Sequence, residues 1–149
     1  MRSVLSNRLR KGTPLLQDAR NTILVVDDEV ELLDLIAYIL RRPGYEILEA
    51  RTSREALSIC ERVEVPIDLV LSDFNLPGMN GLDLAKELER LRPNLPIIFM
   101  SGNLEASDDL VDRGFVCLKK PFTFADMVYI VDETLAGSEA IRNRRRPAI

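Results

Sequence analysis

The chain has 149 residues, 46% hydrophobic and 30% charged, which fits one globular domain with some flanking material and leaves no room for a second. No apolar run approaches the ~20 residues of a membrane span, and the start "MRSVLSNRLRKGTPLLQDAR" lacks the continuous apolar core of a secretory signal, so a cytoplasmic protein without a membrane span is expected. The net charge of −4 hides an asymmetry: residues 21–136 hold 11 Lys/Arg against 22 Asp/Glu, whereas both flanks are basic. The expected organisation is a flexible basic arm over 1–20, an acidic domain over 21–136 and a basic tail over 137–149. The tail's "RNRRRP" reads as a solubilising segment ahead of a nucleic-acid or membrane contact, and no helix module for reading DNA is recognisable in the arms. Cys60 and Cys117 sit in apolar stretches without metal-ligand spacing and read as reduced, buried thiols rather than a disulfide. Histidine is absent, so chemistry must run on carboxylates, hydroxyls and lysine.

Taken in chain order, "TILVV" (22–26) is a short β-branched strand that runs into Asp27-Asp28-Glu29, and "ELLDLIAYIL" (31–40) then has helical spacing up to the stop at Pro43-Gly44. "YEILEA" (45–50) alternates like a half-buried edge strand, and "SREALSICERV" (53–63) is a second helix. "IDLVLS" (67–72) and "PIIFMS" (96–101) are continuous apolar strands of the kind covered on both faces. Between them Asn80 can cap a helix over 81–91, with Asp83 at the third position. A short helix near 103–112, a strand over 115–119 and a helix from Thr123, boxed by Asp126, complete five βα units. Such alternation implies an α/β fold: an open parallel five-stranded sheet with helices on both faces and right-handed crossovers.

Ligands of such sheets gather beyond the carboxyl ends of the strands. Those ends carry Asp27 and Asp28, Asp73, Ser101 and Lys120. Three carboxylates brought together need a cation, and an oxygen-only donor set points to a hard ion such as Mg²⁺. A hydroxyl and a lysine beside it suit a phosphoryl group, and an aspartate can itself be the nucleophile, which places phosphate on Asp73. Each residue also has a plainer use. Asp27-Asp28 can serve the following helix, Asp73 the Pro77-Gly78 turn, Ser101-Gly102 a loop, and Lys120 can be a solvated strand end. The ordered set, one element per strand end, is what favours a site.

"ILVVDDE", "LVLSDFNLPGMNG", "FMSG" and "KKPF" resemble the signatures of the response-regulator receiver domain of two-component signalling, a resemblance that covers residues 22–136. It implies the flavodoxin-like strand order 2-1-3-4-5. It further implies Asp73 as phosphoacceptor, Asp28 as a direct and Asp27 as a water-mediated Mg²⁺ ligand, and the backbone carbonyl of Asn75 as another. Ser101 takes the place of the hydroxyl that bonds the phosphoryl group, Lys120 that of the lysine pairing with it, and the Lys120-Pro121 peptide is commonly cis in the family. The donor would be a phosphohistidine on a histidine kinase or histidine phosphotransfer protein, necessarily another molecule because this chain has no histidine.

Two features depart from the family pattern. Ser101 and Lys120 are closer in sequence than usual by nearly a helical turn, so a truncated or irregular fourth helix is expected, and Cys117 stands where the family usually has Tyr or Phe. Only 13 residues follow residue 136, which favours a stand-alone receiver that works through contacts with a downstream protein and is a phosphoacceptor rather than an enzyme proper. A receiver cut from a hybrid histidine kinase, an aspartate-based phosphohydrolase and a structural pseudo-receiver are the alternatives. The hydrolase lacks an acid/base carboxylate at Asn75. The last helix carries a wide apolar stripe of Phe124, Met127, Val128, Ile130, Val131 and Leu135, which serves either the core alone or also, with Tyr129 and the surface around Cys117, a homodimer or partner face.

Overall fold

The computed structural model describes residues 20–145; the expected N-terminal arm and the last four residues of the expected tail lie outside that range, apart from Arg20. The chain alternates β1 (Thr22–Val26), α1 (Val30–Arg41), β2 (Glu46–Ala50), α2 (Ser53–Glu61) and β3 (Leu69–Asp73). It continues with β4 (Asn75–Leu76), β5 (Met79–Asn80), α3 (Gly81–Leu91), β6 (Ile97–Ser101), α4 (Leu104–Asp112), β7 (Val116–Lys119) and α5 (Phe124–Arg145). The main sheet is parallel in the order β2-β1-β3-β6-β7, which is the expected 2-1-3-4-5 arrangement of its five strands. Among the described residues no helix is long and apolar enough to cross a membrane.

The period-2 alternation of the strands builds two cores. Ile23, Val25, Leu69, Leu71, Ile98 and Met100 face α1 and α5, meeting Leu33, Ile36, Leu40, Met127 and Val131. Leu24, Val26 and Val70 face the other way, against Ala56 and Cys60 of α2 and Leu84 and Leu88 of α3, and Phe99 turns to Ala85 and Leu110 of α3 and α4. This double burial is why β1, β3 and β6 read as unbroken apolar runs, while the edge strand β2 alternates.

Two details differ from the sequence reading, and a third bears it out. Pro77-Gly78 turns a small antiparallel hairpin of β4 and β5, a two-residue ladder too short to leave a periodic signal, with Gly78 at φ 83°. The last helix does not stop near residue 136 but continues to Arg145, so the described part of the expected tail is helical. Its apolar stripe ends at Leu135, yet Gly137 costs a helix only about 1 kcal/mol and is followed by adequate helix formers. The fourth helix is short, as expected, but regular: nine residues closed by Gly114 at φ 91°, with the Phe115 N–H donating to the Leu110 carbonyl.

Candidate functional site

Val26 and Ser72 are register partners in adjacent strands, so the residues after and beside them, Asp27 and Asp73, emerge at the same rim of the sheet. The N–H of Asp27 donates to the Ala50 carbonyl at 3.1 Å, extending the strand's line by one residue and burying the side chain completely. Its Oδ1 accepts the Glu29 N–H at 2.9 Å. Its Oδ2 is buried and has no hydrogen-bond partner among the described residues. Asp28 is exposed, and one oxygen each of Asp27, Asp28 and Asp73 lie within 4.8 Å of one another. Burial pushes the Asp27 carboxyl above its ordinary range; the Glu29 N–H opposes this, the charge of Asp73 adds to it, Lys120 pulls it back and Asp28 adds again. An orphaned buried carboxylate oxygen converging with two further carboxylates is the donor chemistry of a hard divalent cation, so these residues fit Mg²⁺.

Asp73 ends β3 half-buried, its Oδ1 accepting the Asn75 N–H at 3.2 Å and its Oδ2 lying 3.5 Å from the Lys120 ammonium. Its contact in the turn and its contact with the lysine therefore use different oxygens. Lys120 follows β7 and is aimed by its backbone: its N–H donates to the Ser101 carbonyl at 2.8 Å, and the Lys120-Pro121 peptide is cis. Ser101 is buried at the end of β6, in register with Lys119, but its hydroxyl bonds Asn103 rather than the Asp73 carboxylate. Asn75 is exposed on β4. The structure thus brings Asp27, Asp28, Asp73 and Lys120 together, and sets Ser101 on the same rim with its hydroxyl turned away.

An aromatic cluster starts at the residue after Asp73. Phe74 meets Phe99 edge-to-face at 5.6 Å, and Phe99 meets Phe115 at 5.3 Å. Gly81 completes the packing: a Cβ there would lie 2.4 Å from Phe74 Cδ1 and 2.8 Å from Phe99 Cε1, so only glycine lets α3 begin against these rings. The Gly81 N–H donates to the Phe74 carbonyl at 2.9 Å, tying the residue after Asp73 to the start of α3. The sequence reading missed Phe99, Gly81 and Asn103. Only "FMSGN" offered a signal, as Asn103 stands directly before a helical pattern and its side chain does cap α4 at Ala106. Cys60 is buried as expected, but Cys117 is only half-buried: it lies on the edge strand β7, packed against the cluster of Phe99 and Leu110 on the α3–α4 side of the sheet.

A five-stranded parallel sheet in this order, with acids at the ends of its first and third strands and a lysine after its last, defines the architecture of a two-component signalling receiver. The chain belongs to the response regulator receiver domain family, whose model matches residues 23–132. It is similar to a CheY-like response regulator receiver domain protein from Methanospirillum hungatei JF-1, at 32% identity over 82% of this chain and 98% of that one, with a TM-score of 0.74. It is also similar to the receiver domain of the hybrid histidine kinase CckA, at 34% identity over 77% of this chain and 99% of that one, with a TM-score of 0.66. The sensor kinase CckA of Brucella abortus (strain 2308) is 34% identical over 131 residues, which are 86% of this chain and 14% of the kinase. Across the first curated relatives the chain spans 14% to 54% of their lengths.

Proposed function

We propose that Asp73 accepts a phosphoryl group from a phosphohistidine on a partner histidine kinase or histidine phosphotransfer protein, and that the acyl phosphate then alters the surface a downstream protein reads. The observation that carries this reading is the Asp73–Lys120 pair at 3.5 Å beside the buried, unpartnered Oδ2 of Asp27. Asn75 holds Asp73 Oδ1, so Oδ2 is the oxygen free to attack phosphorus as the P–N bond breaks and the imidazole leaves. The Lys120 ammonium pairs with the arriving phosphoryl oxygens, an exchange of one anionic partner for another. Mg²⁺ held by Asp27, Asp28, Asp73 and the Asn75 carbonyl would supply the remaining positive charge for the transfer. Ser101 can then turn its hydroxyl to the phosphoryl group.

Asn75 offers no carboxylate for general acid–base work two residues after Asp73, which favours a lasting signal over a phosphohydrolase. The unit we assign to this function is residues 21–136, acting as a receiver in the cytoplasm, stand-alone or as the receiver of a hybrid kinase. On α5, Met127, Val131 and Leu135 are buried, whereas Phe124 and Tyr129 stay 52% and 67% exposed and are our choice for a homodimer face. Intact mass after incubation with a small phosphodonor, with and without Mg²⁺, tests the proposal. A single Mg²⁺-dependent phosphoryl adduct is expected. Rapid multiple turnover would support the hydrolase, and no adduct would support a structural pseudo-receiver.

A further inference from the structure

The hydroxyl of Ser101 is committed to one residue, and that residue is the N-cap of α4. Ser101 Oγ donates to the Asn103 carbonyl at 3.3 Å and accepts the Asn103 N–H at 3.2 Å. Asn103 is in turn fastened to the first turn of α4 at three points. Its Oδ1 accepts the Ala106 N–H at 2.9 Å, and its carbonyl accepts both the Ser107 N–H and the Ser107 hydroxyl at 2.9 Å. Apart from this cap α4 is lightly held: only Ser107 and Leu110 are buried along its length, and Leu104 and Val111 are exposed. The ion pair from Asp108 to Lys119, at 3.9 Å between two exposed side chains, adds little.

A serine hydroxyl has one proton and cannot give it to Asn103 and to a phosphoryl oxygen at once. The Asn103 carbonyl has two other donors and tolerates the loss of Ser101. If Ser101 turns about its Cα–Cβ bond to reach a phosphoryl group, Oγ also leaves the Asn103 N–H, for which no other acceptor is among the described hydrogen bonds. We propose that Asn103 is a positioning residue that holds the Ser101 hydroxyl away from Asp73 at rest and converts its release into loosening of the first turn of α4. The proposal rests on Asp73 being the phosphoryl acceptor.

By linkage, weakening the resting cap should strengthen binding to the released state by the same factor. Asn103→Ala is therefore expected to bind beryllofluoride with Mg²⁺ about five-fold more tightly than wild type, the size of a typical lost cap. Asn103→Ser, which restores the cap oxygen, should return the affinity to the wild-type value. Ser107→Ala should shift affinity in the same direction as Asn103→Ala and serves as a second, conservative variant. Without beryllofluoride, Ser101→Ala should raise amide exchange at Ala106 and Ser107 about five-fold, from the loss of the bonds that steady Asn103. Equal or weaker beryllofluoride binding by both Asn103→Ala and Ser107→Ala, with normal binding by wild type, would overturn the coupling alone. Unchanged exchange in Ser101→Ala would overturn the resting tie. No binding by wild type would overturn the Asp73 assignment and the switch with it.

Discussion

Replacing Gly81 by alanine adds one methyl group at the point where α3 starts against the rings of Phe74 and Phe99. The new Cβ would meet Phe74 Cδ1 at 2.4 Å and Phe99 Cε1 at 2.8 Å, against the ~3.5 Å or more of an unstrained carbon contact. One ring must retreat by about an ångström, and the choice is poor. Phe99 is fully buried between Phe74 and Phe115, and Phe74 is fixed through its carbonyl to the Gly81 N–H itself. Overpacking of this kind costs about 1–3 kcal/mol, a disturbed edge-to-face pair adds about 0.5–1, and a Gly-to-Ala gain at the helix start returns about 0.5. The expected net loss is about 2 kcal/mol, or roughly 6–10 °C in Tm for a domain of this size. Thermal denaturation of Gly81→Ala, Phe74→Leu and the double variant measures it. In the Phe74→Leu background the closest clash disappears, so the penalty should fall by about half, a coupling of ~1 kcal/mol. Additive effects, or a Gly81→Ala protein as stable as wild type, would refute the packing argument.

Lys120→Ala should still be phosphorylated, more slowly, but the phosphorylation-induced amide shifts around Ser101 and residues 103–119 should largely vanish; an unchanged NMR shift pattern would remove Lys120 from the switch. Tyr45 donates its hydroxyl to Asp132 on α5, and burial, then this bond and the Asp132 charge, raise its pKa above the ordinary tyrosine value. A raised folded pKa means stabilisation that is complete below the unfolded value of ~10 and is lost as pH rises through the folded one. Tyr45→Phe should therefore cost about 1 kcal/mol in denaturant unfolding at pH 8, with the gap to wild type narrowing above pH ~10; a gap that widens there contradicts the assignment. If α5 is an association face, sedimentation with beryllofluoride should show association lost in Tyr129→Asp and kept in Cys117→Ala, and the opposite pattern would move the face to the α3–α4 side.

The sheet was legible because β1, β3 and β6 are buried on both faces and so are apolar through their middles, with Asp27, Asp73 and Ser101 standing out at their ends. The helix over 81–91 was legible for a local reason: Asn80 does accept the Asp83 N–H, as its position before the helix suggested. The capping box of Thr123 and Asp126 is reciprocal, also as its spacing implied. Other features depend on contacts distant in sequence. Gly81 matters because of Phe74 and Phe99, and Phe99 reaches it only after β6 pairs with β3, so no local pattern marks the glycine. The orientation of Ser101 was equally hidden, since a hydroxyl before Gly102 can face either the acids or Asn103, and the choice is made by hydrogen bonds within one loop. The end of α5 was misplaced because an apolar stripe measures what a helix buries, and residues 136–141 extend the helix with less burial.

The central claim is that the phosphoryl group sits on Asp73. Treatment of the phosphorylated protein with borohydride reduces an aspartyl phosphate to homoserine, and peptide mapping then locates the converted residue. Homoserine at position 73, Mg²⁺-dependent and absent from Asp73→Asn, is the expected result; conversion at Asp27 or Asp28 in the wild-type protein, or undiminished phosphoryl uptake by Asp73→Asn, would contradict the account.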